Sequence, residues 1–153
     1  MQCVLLAAGY ATRLYPLTEN KPKALLKLGD KTILEMVTDK IDEVSDVENI
    51  YIVTNEKFYK QFEKWCESYK GPKKVKVIND HTTSNDNRLG AIGDLKYVID
   101  MENINDEILV MASDNIFDFS LCDFVDMYRS KNADMICAHT ILSLIHISEP
   151  TRH

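Results

Sequence analysis

Short apolar runs alternate with amphipathic segments along most of the chain. Five of the runs are rich in β-branched or other apolar residues and are typical of buried strands: residues 3–7, 49–54, 74–79, 107–112 and 134–141. The segments between them carry apolar residues at helical spacing. Alternation of strand and helix predicts a three-layer α/β/α sandwich around a mostly parallel, Rossmann-like central sheet with right-handed crossovers.

The predicted helices have recognisable signals at their ends. Thr32 and Glu35 form a capping-box pair at the start of the first helix. The second helix places four aromatic residues on one face and is ended by Gly71-Pro72. Two further helices are predicted at about 89–100 and from residue 121. The apolar positions of the first helix are Ile33, Val37, Ile41 and Val44.

The composition limits the classes of function. A length of 153 residues suits one ordinary domain. Acidic residues outnumber basic ones by 24 to 18, and the net charge of −6 argues against nucleic-acid or anionic-membrane binding. No apolar run approaches the roughly 20 residues that a membrane-spanning helix requires. The four cysteines lack CxxC spacing, so we expect reduced, mostly buried thiols in a cytoplasmic protein, without zinc.

The stretch LAAGYATRLYPLTENKPKALL, residues 6–26, leaves the first strand as an irregular basic loop. Ligands of parallel sheets bind at the carboxyl ends of the strands, where this loop and residues 112–119 are expected to lie. Small residues let a phosphate chain approach the backbone, and successive N–H groups can form a concave anion site. Arg13 offers a planar fork for phosphate oxygens and Lys23 a compact charge, on a loop stiffened by two prolines. The small residues are Ala7, Ala8, Gly9, Ala11 and Thr12.

Two common phosphate-binding patterns are absent from the sequence, because no Gly-Lys-Ser or Gly-Lys-Thr occurs and GxGxxG is not matched. The loop instead resembles the signature of the sugar-phosphate nucleotidyltransferase family, approximately L-A-G-G-x-G-T-R-L-x-P-L-T-x-x-x-P-K. Ala11 departs from this pattern, which has glycine there, and we expect alanine to be accommodated only at negative φ. The matching residues are Leu6, Ala8, Gly9, Thr12, Arg13, Leu14, Pro16, Leu17, Thr18, Pro22 and Lys23.

Two further stretches resemble the same family. LGAIGDL, residues 89–95, is similar to a segment L-G-T-A-G-A-L that opens a helix beside the nucleobase, and Gly90 and Gly93 favour close approach of a ligand there. LVMASDNIF, residues 109–117, is similar to L-V-x-x-G-D-N, whose aspartate holds the catalytic Mg²⁺. Asp114 also follows a predicted buried strand directly, where a carboxylate is unfavourable unless it binds a cation. Metal binding is therefore favoured over a capping role.

The resemblance implies an enzyme that transfers a nucleoside monophosphate from an NTP to a sugar-1-phosphate and releases pyrophosphate. It assigns catalytic roles to Arg13 and Lys23, and Mg²⁺ binding to Asp114. An NTP and a sugar-1-phosphate are then the partners, and Mg²⁺ is the cofactor. The nucleotide-binding residues that it implies are Leu6, Ala7, Ala8, Gly9, Tyr10, Ala11, Thr12, Arg13 and Gly90.

Several alternatives stay open. A cytidylyltransferase acting on phosphocholine or another phosphorylated alcohol shares the loop, and a non-catalytic nucleotide-binding module keeps the fold without the chemistry. In residues 79–88, the side chains of Thr83, Asn85 and Asn87 can hydrogen-bond to a pyrimidine, although polar loop residues are usually only solvated. The nucleobase, the acceptor and the oligomeric state, a homo-oligomer included, are not fixed by these patterns.

The last residues differ in character from the rest. We expect residues 1–141 to form the nucleotide-binding part of a nucleotidyltransferase domain and residues 142–153 an irregular tail. The tail sequence SLIHISEPTRH, residues 143–153, has no strand or helix periodicity and resembles translated sequencing-adaptor read-through. On that interpretation the tail is non-native and the natural protein continues further. The family resemblance implies that the continuation carries a second metal-binding aspartate and the acceptor-binding groups.

Overall fold

A computed structural model describes residues 1–138 of the protein. Its strands are β1 (Gln2–Leu6), β2 (Lys27–Leu28), β3 (Lys31–Thr32), β4 (Asn49–Thr54), β5 (Lys74–Asn79) and β6 (Ile108–Ala112). Its helices are α1 (Ile33–Asp42), α2 (Tyr59–Ser68), α3 (Gly90–Glu102) and α4 (Leu121–Lys131). Two 3₁₀ turns, Thr12–Leu14 and Lys23–Leu25, lie between β1 and β2.

Four parallel strands form the central sheet in the order β5-β4-β1-β6. The chain steps outward from β1 to β4 and β5, then returns to pair β6 with the other side of β1. Such a reversal of strand order creates a crevice at the carboxyl ends of the two strands beside it, the usual ligand position in doubly wound sheets. The short strands β2 and β3 form a separate antiparallel hairpin.

The sheet is apolar on both faces, as a parallel sheet covered by helices must be. On one face Val4, Val53 and Ile78 pack against Val98 of α3 in a single buried cluster. The alternate side chains point to the other face, and they are also fully buried: Cys3, Leu5, Ile50 and Ile52. The predicted three-layer sandwich with a Rossmann-like sheet is confirmed.

The start of α1 has the predicted capping box. The Glu35 N–H donates to Thr32 Oγ1 at 3.1 Å, and the Thr32 N–H donates to Glu35 Oε2 at 2.5 Å. Each bond satisfies an amide that the first helical turn leaves without an intrahelical partner. The apolar side of the helix is buried at Leu34, Val37 and Ile41.

Two sequence expectations are not met. Residues 134–138 of the predicted fifth strand contain no strand, and residues 139–141 lie outside the described part of the chain, as does the predicted tail 142–153. The cysteines were expected to be mostly buried, but only Cys3 is. Cys66 and Cys122 are each half-buried, and Cys137 is exposed. On α2 the buried position is taken by Trp65, the residue before Cys66.

The described residues form two compact units, Met1–Cys122 and a second that begins at Asp123. The first unit contains the whole central sheet and α1 to α3. Within the described residues no helix combines the length and apolar character needed to cross a membrane.

Replacing Thr32 by alanine removes the acceptor for the Glu35 N–H, and we expect the free energy of unfolding to fall by about 1 kcal/mol. Urea denaturation followed by circular dichroism measures this loss. Thr32→Ser keeps the hydroxyl and is the matched control, expected close to the parent protein. A serine variant as unstable as the alanine variant would contradict the capping role.

Candidate active site

The loops that follow β1 and β6 meet at the crevice created by the strand order. The Ser113 N–H donates to the carbonyl of Leu6 at 3.1 Å, and this hydrogen bond joins the residue after β6 to the end of β1. Beside this bond lies a cavity of about 280 Å³. Its lining residues are Leu6, Ala7, Gly9, Ala11, Pro22, Lys23, Ala24, Phe62, Ser113 and Asp114.

Two fully buried polar side chains hold the first residues of the opening loop. Thr54 Oγ1 donates to the carbonyl of Ala7 at 3.3 Å, and Asn55 Nδ2 donates to the carbonyl of Ala8 at 3.0 Å. Asn55 Oδ1 also accepts from the Phe58 N–H, so the same side chain is fixed from its other end. Because the loop carbonyls are bound by the protein, the conformation of the loop is set before any ligand arrives.

The amides of the same loop are left free. Among the described residues, the N–H groups of Ala8, Gly9, Tyr10 and Ala11 have no hydrogen-bond acceptor. A methyl group added at Gly9 would meet no atom within 4 Å, so the space beside this backbone is open. Successive free amides next to open space are the arrangement that binds anions.

Ala11 lies in the left-handed region, with φ 47° and ψ 40°. The expectation of a negative φ at this position is therefore wrong. The conformation is held by the Ala11 carbonyl, which accepts from Thr18 Oγ1 at 2.7 Å and from the Leu14 N–H at 3.0 Å. Thr18 is fully buried, so the turn keeps a conformation that suits glycine better than alanine.

Lys23 and Asp114 come together across the cavity. Lys23 Nζ lies 3.0 Å from Asp114 Oδ2, and each side chain is about one-third exposed (34% and 33%). Lys23 opens a 3₁₀ turn after Pro22, whose φ is −65°, and Asp114 lies two residues after the end of β6. The two sequence-predicted charges thus share the cleft formed at the edge of the sheet.

Arg13 takes a different position. It lies in the exposed 3₁₀ turn Thr12–Leu14, does not line the cavity, and forms no ion pair within residues 1–138. Its guanidinium is therefore available to a ligand that extends out of the cavity. Tyr10 is buried against Phe58 and also does not line the cavity.

Local backbone and packing constraints explain the two glycines of α3 without a ligand. Gly90, the first helical residue, has φ +78°, where a side chain is strained. A Cβ at Gly93 would lie 2.8 Å from the Cβ of Leu89. Close approach of a ligand is therefore not needed to explain why glycine occupies these two positions.

The polar segment 79–88 is organised internally. Asn87 Oδ1 accepts from the backbone N–H groups of Thr83 and Ser84, and Asn87 Nδ2 donates to Thr83 Oγ1 at 3.2 Å. Two of the three side chains considered for base contact thus already bond to each other.

Sequence reasoning missed a buried acidic pair beside this segment. Asp80 follows β5 and Asp94 lies in α3, and both are more than nine-tenths buried. Burial, together with the adjacent Asp80 carboxyl, raises the pKa of Asp94 to about 7. A signal was available, because Asp94 precedes the core residue Val98 by four positions and so occupies the apolar face of its helix.

A second cavity, of about 370 Å³, lies away from the strand ends. Residues of α1 and of the end of α2 line it, among them the carboxylates of Glu35, Asp39 and Asp42. Three carboxylates repel a polyanion, so the smaller cavity at the sheet edge is the better phosphate site.

The parallel sheet with free amides at its switch point is an α/β arrangement of the kind that binds phosphate groups in other proteins. Over residues 2–151 the chain matches the family described as nucleotidyl transferase, and it belongs to that family.

Two curated relatives illustrate the similarity. The bifunctional protein GlmU of Methanococcus aeolicus is 36% identical over 126 residues, which are 82% of this chain and 28% of that protein. The UTP–glucose-1-phosphate uridylyltransferase AglF of Haloferax volcanii is 31% identical over 134 residues, 88% of this chain and 51% of its own length. The chain therefore spans about half or less of the length of these relatives.

Solved structures share the fold. A putative glucose-1-phosphate thymidylyltransferase from Bacillus anthracis superposes with a TM-score of 0.69 at 21% identity, covering 85% of this chain and 50% of that one. A UDP-glucose pyrophosphorylase complexed with UDP-glucose gives a TM-score of 0.67 at 19% identity, covering 86% and 54%.

Replacing Ala11 by glycine removes the strain of a left-handed alanine, and we expect the free energy of unfolding to rise by about 0.5–1 kcal/mol. Chemical denaturation of the purified protein provides the measurement. Ala8→Gly is the control: Ala8 is not left-handed, so the added backbone freedom should lower stability there. A destabilised Ala11→Gly variant would show that the side-chain methyl contributes more than the strain.

Proposed function

We propose that the chain is the nucleotide-binding part of a sugar-1-phosphate nucleotidyltransferase, which forms an NDP-sugar from an NTP and a sugar-1-phosphate. The observation that carries the proposal is one cavity lined both by the Lys23–Asp114 pair and by Gly9 and Ala11, two residues of the loop whose amides are free. The relatives support the reaction class, since they include a uridylyltransferase for glucose-1-phosphate and a putative mannose-1-phosphate guanyltransferase of Sulfolobus acidocaldarius. The second of these is 27% identical over 153 residues, which are 100% of this chain and 39% of that protein.

In this scheme the opening loop binds the triphosphate. The free amides from Ala8 to Ala11 donate to phosphate oxygens, and the open space beside Gly9 admits the phosphate chain. The buried Thr54 and Asn55 hold the loop in place, so little ordering is needed when the ligand binds.

The reaction needs no side-chain nucleophile. An oxygen of the sugar-1-phosphate attacks the α-phosphorus of the NTP, the bond from that phosphorus to the bridging oxygen breaks, and pyrophosphate leaves with the bonding electron pair. The attacking group is already an anion, so the task of the protein is to bring two polyanions together and neutralise their charge. In the proposed reaction Lys23 bridges the α-phosphate and the incoming phosphate, and the exposed Arg13 holds the departing pyrophosphate.

The residues present suit a Mg²⁺ ion at Asp114. The carboxylate is partly exposed at the cavity and already accepts a cationic partner, the ammonium of Lys23. Mg²⁺ commonly takes only one or two protein carboxylates, with substrate phosphates and water as its other ligands. When bound there, the ion would supply positive charge that stabilises the reacting phosphate oxygens. Lys23, once released from Asp114, would turn its ammonium to the phosphates.

Pyrophosphate release identifies the reaction and the acceptor. We expect the complete protein to release pyrophosphate from an NTP in the presence of Mg²⁺ and glucose-1-phosphate or another sugar-1-phosphate. Release with phosphocholine alone would instead favour the cytidylyltransferase alternative. Nucleotide binding without release on any acceptor would favour the non-catalytic module and contradict the proposal.

Variants of the ion pair separate the two proposed roles. Lys23→Ala should weaken binding of UTP by about tenfold or more, the equivalent of one charge-assisted hydrogen bond, and lower turnover by orders of magnitude. Asp114→Asn should abolish the gain in UTP affinity that MgCl₂ gives over EDTA. Calorimetric titration and pyrophosphate release measure both effects.

The chain offers matched controls for these variants. Lys21 lies two positions before Lys23 and Asp118 four after Asp114, and neither lines the cavity. Lys21→Ala and Asp118→Asn should leave UTP affinity and its Mg²⁺ dependence unchanged. Equal losses in the control variants would mean that general charge, not the cavity pair, governs binding.

A further inference from the structure

Two acidic side chains are buried together next to the site but outside its cavity. Asp80 is 6% exposed at the end of β5, and Asp94 is 5% exposed in α3. The Asp94 carboxyl lies within hydrogen-bonding reach of the Asp80 carboxyl. Neither residue lines the cavity, so neither belongs to the phosphate site already described.

The hydrogen bonds of the pair are incomplete in a specific way. Asp80 Oδ1 accepts from the N–H and the Oγ1 of Thr82, both at 2.7 Å. Asp80 Oδ2 and Asp94 Oδ1 are buried and receive no hydrogen bond from any described residue. Two ionised carboxylates within hydrogen-bonding reach of each other would repel, whereas one proton between them supplies the missing hydrogen-bond donor.

We propose that Asp80 and Asp94 hold a single proton between their buried carboxyl groups, and that this shared proton fixes the turn at residues 79–82 beneath Tyr10 of the opening loop. Asp80 already accepts two hydrogen bonds from Thr82. Asp94 carries the proton and uses it to donate a hydrogen bond to Asp80.

The turn connects the pair to the opening loop. The carbonyl of Thr82 accepts from the Tyr10 hydroxyl at 3.3 Å and from the Glu56 N–H at 3.0 Å. The Asp80 N–H donates to the carbonyl of Thr54, the residue whose hydroxyl holds Ala7. A displacement of Asp80 therefore reaches the phosphate-binding loop through two separate routes.

The titratable groups around the pair lie on several elements. From the opening loop, Tyr10 interacts electrostatically with Asp80. Next to the turn lie His81 and the exposed Glu56, whose carboxylate is 3.6 Å from the His81 ring. The strands that α3 packs against present apolar side chains such as Val4 and Val53. On α3 itself the ion pair of Lys96 and Asp100 is exposed.

The proton gives the turn a defined pH dependence. The folded protein holds the Asp94 proton more tightly than the unfolded chain does, since its pKa is raised from the ordinary value to about 7. The stabilisation is complete below the ordinary aspartate range and is lost as the pH rises towards about 7. Above that range the Asp94 carboxyl is charged, and the turn loses its attachment to α3.

Carboxyl ¹³C NMR of the aspartates tests the shared proton without any ligand. One aspartate resonance should titrate near neutral pH, and the Tyr10 ring resonances should move over the same range. In Asp94→Asn, whose amide donates permanently to Asp80, both changes should disappear. Titration of every aspartate below about pH 5, the ordinary range, would overturn the shared proton. A Tyr10 signal that moves equally in Asp94→Asn would overturn the coupling to the loop.

Two controls separate this effect from neighbouring groups and from general stability. His81→Asn removes the nearby imidazole, and asparagine tolerates its φ of 62°, so the Tyr10 titration should persist in this variant. Asp100→Asn removes an exposed charge from the same helix and should also leave it intact. As the pH rises from about 4 to about 7, the parent protein loses the stabilisation from its proton, so the melting temperature of Asp94→Asn should rise relative to that of the parent over this range.

The consequence for nucleotide affinity rests on the proposed function. UTP affinity, measured with Mg²⁺, should fall several-fold over the same pH range in the parent protein and not in Asp94→Asn. Comparing the two proteins cancels the titration of the nucleotide itself. An identical pH profile in both would overturn the positioning role. Failure of both proteins to bind UTP would contradict the proposed function, while the NMR titration would still decide the shared proton.

Discussion

The structure depends on how the backbone leaves β1. Two buried side chains, Thr54 and Asn55, bind the carbonyls of Ala7 and Ala8, and this leaves the following amides free at the edge of the sheet. A buried polar group must find a partner, so the loop cannot rotate without losing these bonds. The end of β4 thus fixes the orientation of the loop that follows β1, and the free amides of that loop are held at the edge of the sheet by the protein itself.

The same constraint explains the positions of the charges. The Ser113 N–H donates to the carbonyl of Leu6 at the end of β1, so the next residue, Asp114, lies beside the opening loop. There it forms an ion pair with Lys23. The turn after β5 is attached to this assembly through Thr82 and Tyr10. Strand ends that lie far apart in the sequence are thus joined by hydrogen bonds.

Much of the fold followed from the sequence because its determinants are local. The apolar runs gave β4 and β5 their bounds, and the pairing of Thr32 with Glu35 placed the start of α1. The meeting of Lys23 and Asp114 was also expected, since carboxyl ends of parallel strands share one edge.

Other features needed tertiary information. Ala11 adopts a conformation disfavoured for alanine because the distant Thr18 holds its carbonyl, and no local propensity reports such a bond. The burial of Asp80 depends on the packing of α3, and its chemistry depends on Asp94, which the sequence places in a different element. The expected strand at 134–141 rested on apolar character alone, which does not separate a strand from an irregular segment.

The most direct test of the central claim is an amide NMR titration of the ¹⁵N-labelled protein with Mg²⁺ and UTP. If the opening loop binds the triphosphate, the largest shifts will fall on the amides from Ala8 to Ala11 and on Asp114. Shifts confined to the acidic cavity near Asp39 and Asp42, or spread over exposed lysines with the loop unchanged, would contradict it.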